Sequence, residues 1–210
     1  MNEDVLGRVV QRALSQRGVT YEEEVRRLMQ AGLEVMLRCG TSASPRVSDI
    51  VAAAGLSNDA FYRYFPSKGA LVAALLEDGA EQLRSYLEHQ MAKEPTPEGQ
   101  VRRWVEGVLT QARGEVAATT QAVMWNAPTA GSGAPYGRHF ASEALAGLLA
   151  APFAELGGAD PELNARLAAH ATLGALSDHV WAGTEPSDAD REQIVAFCLA
   201  SARATPAPAR

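Results

Sequence analysis

The chain has only two cysteines in 210 residues, Cys39 and Cys198. They lie far apart, with no CxxC or Cys/His spacing and with apolar neighbours. That excludes a disulfide framework and points to buried free thiols of the cytosolic kind rather than to a metal role. The four histidines, His89, His139, His170 and His179, show no HExxH or other tight ligand spacing, so neither metal nor cofactor is expected. No run approaches the roughly 18 apolar residues of a membrane span. Met1-Asn2-Glu3-Asp4 begins acidic and lacks the apolar core of a signal peptide, so no membrane partner and a cytoplasmic location are expected. Strand-like alternation and internal repeats are also missing. Only the neighbours Asp178 and His179 hint at a catalytic pair. Adjacent helical residues do not face each other, so no catalytic residue is assigned and an enzyme is not expected.

Helical periodicity runs through almost every segment, and apolar residues make up 47% of the chain. The fold expected is all-α. Val25, Leu28, Met29, Gly32, Met36 and Cys39 recur at threes and fours and predict a first helix from about Tyr21 to Cys39. Ser44 and Pro45 read as N-cap and first turn of a second helix, with Gly55 closing it near Ala54. Ser57 caps a short third helix, which Pro66 stops. Ser67 then starts a long fourth helix to about Gln90. Pro95 and Pro97 mark a boundary, followed by helices at about 98–126 (with a break near Gly114), 138–155, 161–183 and 187–203. The segment around 127–137 reads as a loop and 204–210 as a disordered tail. Residues 1–20 are an extension that fits either a helix or a basic arm carrying Arg8 and Arg12.

The net charge of −6 divides unevenly: residues 1–70 carry +1 and residues 71–210 carry −7. The acidic remainder would stay off phosphate while the first part docks. Two short helices hinged at a glycine, with the second rich in aromatic and polar groups, have the layout of a helix-turn-helix. Phe61 and Phe65, four apart, belong to its core. Asn58, Asp59, Tyr62 and Arg63 share the other side, where Asn suits adenine, Arg guanine and Asp cytosine N4. The hydroxyls of Tyr62 and Tyr64 suit phosphate oxygens. Lys68 at the start of the fourth helix suits a phosphate as well, and Arg46 and Ser48 suit the opposite backbone wall.

Ile50, then Ala54-Gly55-Leu56-Ser57, then Phe61-Tyr62-x-Tyr64-Phe65-x-Ser67-Lys68-x-x-Leu71 resembles the amino-terminal signature of the TetR family of bacterial transcription regulators. The likeness covers about residues 21–75. It implies a homodimer that binds a palindromic double-stranded DNA operator, usually as a repressor, and lets go when a small-molecule effector fills the carboxy-terminal domain. The positions it implies for DNA contact are Arg46, Val47, Ser48, Asn58, Asp59, Tyr62, Arg63, Tyr64 and Lys68. Two of them depart from the family pattern. A hydroxyl residue is common where Arg46 stands, and a small or basic one where Asp59 stands.

The division expected is an extension (1–20), a helix-turn-helix domain (21–68), a helical effector and dimerisation domain (69–203) and a tail (204–210). Leu163, Leu167, His170, Ala171, Gly174 and Ser177, with Ile194, Phe197, Cys198 and Ser201, form stripes on the last two helices. These fit either a dimer surface, as the resemblance implies, or a monomer core. Candidate effector contacts are Trp104, Met124, Trp125, His139, Phe140, His170, Asp178 and Trp181, since an apolar pocket with a few polar anchors is the usual construction. A DNA-binding helical protein without a small ligand, architectural or linked to division, is the other reading.

Overall fold

Glycine, proline and hydroxyl caps cut the chain into helices. The computed structural model describes the backbone of residues 3–127 and 136–203 and the side chains of 20–127 and 142–203. Among these residues there are nine α-helices and no strand. They are α1 (Glu3–Cys39), α2 (Val47–Ala54), α3 (Asn58–Tyr64), α4 (Lys68–Met91), α5 (Pro97–Leu109), α6 (Gly114–Asn126), α7 (Tyr136–Glu155), α8 (Pro161–Ala182) and α9 (Asp188–Ala202). Ser57, Ser67, Thr96, Asp160 and Ser187 each accept a backbone N–H at the start of α3, α4, α5, α8 and α9. Between α5 and α6 a 3-10 turn at Thr110–Ala112 and Gly114 (φ 52°) make the break expected there.

Two helix starts differ from expectation. The first helix does not begin near Tyr21: α1 runs 37 residues, about 55 Å at 1.5 Å per residue. Gly7 and Gly18 fail to break it because an isolated glycine costs a helix only about 1 kcal/mol. The second start is later than Ser44-Pro45, with α2 opening at Val47 behind an extended Arg46 that offers no side-chain cap. Pro45 is buried, and the Ser44 hydroxyl accepts a hydrogen bond from Lys68 Nζ instead of capping. The Arg8 and Arg12 side chains, the 128–135 stretch and the 204–210 tail lie outside the described residues.

Two apolar cores form. The first gathers Leu28, Val35 and Met36 of α1, Ile50 of α2, Phe61 of α3 and Leu71, Val72 and Leu75 of α4, with Ala122 and Val123 of α6. The second gathers Leu87 and Met91 of α4 with Trp104, Leu149, Phe153, Ala168, Val195 and Cys198 from α5, α7, α8 and α9. Helices α4 and α6 therefore reach from one core to the other. A division at 68/69 separates Leu71, Val72 and Leu75 from the core they enter.

The α4–α5 crossing depends on Gly107, where a Cβ would stand 2.3 Å from Leu87 Cδ2. Leu87 is fully buried, so it must repack within the core to make room. Gly107→Ala should therefore destabilise the fold by about 1–3 kcal/mol through overpacking. In urea melts, combining it with Leu87→Ala should cost less than the sum of the two single changes, because the truncation vacates the contested space.

Candidate nucleic-acid interface and effector cavity

The turn before α3 is fixed from three directions. Gly55 takes the left-handed conformation (φ 62°), and Leu56 N–H returns to the Val51 carbonyl at 2.9 Å, a Schellman closure. From α1, the Arg27 guanidinium donates to the Ala54 carbonyl and, at 3.3 Å, to the Gly55 carbonyl. Ser57 Oγ accepts Ala60 N–H at 3.1 Å. Phe61 is fully buried, so the opposite side of this short helix must face outward. Asn58, Asp59 and Arg63 are exposed, and Tyr62 is 56% exposed. Arg46 and Ser48 are exposed at the start of α2 while Val47 is half-buried, and Lys68 is half-buried. Asn58, Asp59 and Tyr62 thus lie together on an open face, with Arg46, Ser48 and Lys68 on the flanking helix starts.

Tyr64 and Arg63 are engaged differently from the expectation of free phosphate and base contacts. The Tyr64 hydroxyl donates to Glu24 Oε2 of α1 at 2.7 Å, and its ring meets Tyr21 edge-on at 6.0 Å. Arg63 Nη1 approaches the same carboxylate at 3.6 Å. Partial burial, and then the hydrogen bond to Glu24, push the Tyr64 hydroxyl above its ordinary pKa, so it stays a proton donor in this bond. Glu24 and Arg27 were not anticipated. Their three-residue spacing on α1, beside the buried Leu28, was the available signal.

A cavity of about 890 Å³ opens between the two cores. Helix α4 supplies Leu76, Asp78, Gln82, Leu83 and Tyr86. Thr119, Thr120 and Met124 of α6, Leu173 and Ser177 of α8 and Leu33 of α1 line the cavity as well. Of the expected effector contacts, Met124 and His170 line this space. Trp104 does not: it is fully buried in the second core, and its indole N–H donates to the Leu145 carbonyl at 2.9 Å. Trp125 and Trp181 lie on the surface, edge to face at 5.9 Å. Asp178 is exposed and away from the cavity. The side chains of His139 and Phe140 are outside the described residues. The α4 residues were missed because that helix reads from sequence as a connector.

On α8 and α9 the exposed apolar side chains are Leu163, Leu167 (53% exposed), Trp181 and Phe197 (50%). Cys198 does not join this stripe. It is buried in the second core, 3.6 Å from Thr172 Oγ1, and burial pushes its thiol pKa up. His179 pairs with Thr184 Oγ1 at 3.0 Å rather than with Asp178.

The contrast between the two tyrosines is testable. Tyr64→Phe should lower the melting temperature, with an effect not additive to that of Glu24→Ala, because both remove one bond between α3 and α1. Tyr62→Phe should leave the melting temperature unchanged, since its ring is largely in solvent. Equal thermal shifts for the two tyrosine variants would contradict the strut assigned to Tyr64.

Residues 28–75 match the family model described as "Bacterial regulatory proteins, tetR family". No curated protein matches the chain. Similar folds include the fatty acid degradation regulator FadR from Bacillus halodurans (TM-score 0.63, 17% identity, 83% of this chain and 97% of that one). Another is the transcriptional regulator FadR from Bacillus subtilis, solved with stearoyl-CoA (TM-score 0.58, 18% identity, 84% and 95%). NemR from E. coli in its reduced form is a third (TM-score 0.60, 17% identity, 83% and 95%). Among the described residues, no helix is long and apolar enough to cross a membrane. The chain thus carries the amino-terminal helix-turn-helix of the tetR family of bacterial regulatory proteins, on a fold it shares with regulators along most of its length.

Proposed function

We propose that this protein is an effector-responsive transcriptional repressor that binds a palindromic operator as a homodimer. The observation that carries the reading is the open face of α3, where Asn58, Asp59 and Tyr62 project from a helix locked behind the Gly55 turn. The helices from α1 to the first turns of α4, with Leu71, Val72 and Leu75, serve as the reading head, and the helices beyond hold the effector and the partner copy. Asn58 offers base-edge chemistry, while Tyr62, Lys68, Ser48 and Arg46 hold phosphate oxygens on either side of the groove. With +1 on the first 70 residues, one head offers little non-specific attraction, so affinity comes from two heads spaced by one DNA turn of roughly 34–36 Å.

The exposed stripe of Leu163, Leu167 and Trp181 on α8, with Phe197 on α9, supports pairing of two copies through the last two helices. The small neighbours Ala171 and Gly174 allow the helices close approach. The cavity beside Met124 and His170 supports the effector half of the reading.

Gel shifts on the DNA upstream of the protein's own gene, with light scattering of the free protein, test the proposal. The wild type should be dimeric and retard that DNA. Tyr62→Ala and Lys68→Ala should remain folded and weaken binding, and Lys68→Ala should also make it less sensitive to salt. Leu167→Arg should give a folded monomer with weakened DNA binding. A monomeric wild type that ignores the DNA at modest ionic strength would overturn the reading.

A further inference from the structure

The wall of the effector cavity is mostly aliphatic, with threonine, serine and glutamine between and Tyr86 as its one phenol ring among the described residues, and its charge is one-sided. Among the described residues around it, Asp78 is the only carboxylate, His170 the only imidazole, and no lysine or arginine is present. Asp78 stands on α4, where its Oδ2 accepts from Gln82 Nε2 at 2.8 Å. It also borders, with Leu33 and Leu75, a second groove that follows α1 to Tyr64. The carboxylate therefore sits at the mouth where cavity and groove meet, and it is exposed to solvent.

We infer that the cavity takes a hydrophobic monocation, with its positive charge at Asp78 and its apolar body among Leu76, Leu83, Tyr86, Met124 and Leu173. The inference rests on reading this cavity as the effector site. An apolar body in the cavity displaces part of the water around Asp78, which keeps a solvent-facing side. A nearby cation gains modest attraction there, a neutral ligand gains none and an anion is repelled. The stearoyl-CoA held by the B. subtilis FadR carries phosphate charges, for which the described wall here offers no basic partner. An aromatic face such as that of Tyr86 adds further attraction for a cation.

Tetraphenylphosphonium and tetraphenylborate have nearly the same shape and opposite charge, so they isolate this effect. Titration calorimetry with the full chain should find the phosphonium bound more tightly, by about 25-fold. That figure combines about fivefold attraction and about fivefold repulsion, the size expected at a solvent-facing carboxylate. Asp78→Asn should weaken the phosphonium about fivefold and strengthen the borate. Glu77→Gln, a change to the neighbouring exposed carboxylate outside the cavity wall, should alter neither. Equal affinities, a borate preference, no binding of either ion at millimolar concentration, or a preference that survives Asp78→Asn would each overturn the inference. A gel shift of the ligand-free protein reports separately on the regulator reading. Intact DNA binding without ion preference rejects only the ligand class, whereas ion preference without DNA binding supports the ligand class and rejects the regulator.

Discussion

Helix α4 belongs to two cores at once, and that constraint governs the rest of the molecule. Leu71, Val72 and Leu75 in its first turns complete the core beneath the helix-turn-helix, and Leu87 and Met91 near its end enter the second core. Close packing gives neither set freedom to slide independently. A displacement anywhere along α4 must therefore be absorbed by both cores or shared between them. Helix α6 repeats the arrangement, with Ala122 and Val123 in the first core and Met124 against the second. The cavity lies between these two helices, where space was left by two cores that meet without merging.

The helix-turn-helix was largely legible in the sequence because its determinants are local. A glycine needed at positive φ, serines that cap, a proline that stops and two phenylalanines four apart each act within a few residues. Ser57 caps α3 and Phe61 is fully buried, for reasons visible in the string of letters. The C-terminal helices were legible for the same reason, through Pro97, Gly114, Pro161 and Ser187. Long-range pairing was not legible. Nothing near Tyr64 announces that its hydroxyl will donate to Glu24, 40 residues earlier, or that Arg27 will clamp the carbonyls at the end of α2.

Large aromatic residues misdirected the search for the cavity. Trp104, the largest of the fully buried side chains, filled the core because its area repays burial and its N–H found the Leu145 carbonyl. The cavity instead fell to threonine, glutamine and leucine positions on α4, α6 and α8, whose composition is ordinary for any helix. Ser44 misled for a related reason. Its hydroxyl had two possible partners, the start of α2 and Lys68, and it accepts from Lys68.

The polar contacts between α1 and the reading head give the proposed effector response a physical route. Arg27 and Glu24 fix the turn and the end of α3 to α1, and Leu33, about two turns further along α1, borders the cavity. An effector changes DNA affinity only by the difference in its own affinity for the DNA-competent and released arrangements. A coupling of about 1–3 kcal/mol, the usual range, is 5- to 150-fold in operator affinity. That is no more than a few hydrogen bonds or a modest apolar repacking can supply. A ligand that displaces Leu33 against α4 bears on the helix that holds Tyr64 and the Gly55 turn, so it needs no long relay. In a two-fold assembly both heads must keep the spacing of one DNA turn. A small tilt of α4 or α1 in each copy then moves the two recognition helices in opposite directions, and the misfit is doubled at the DNA.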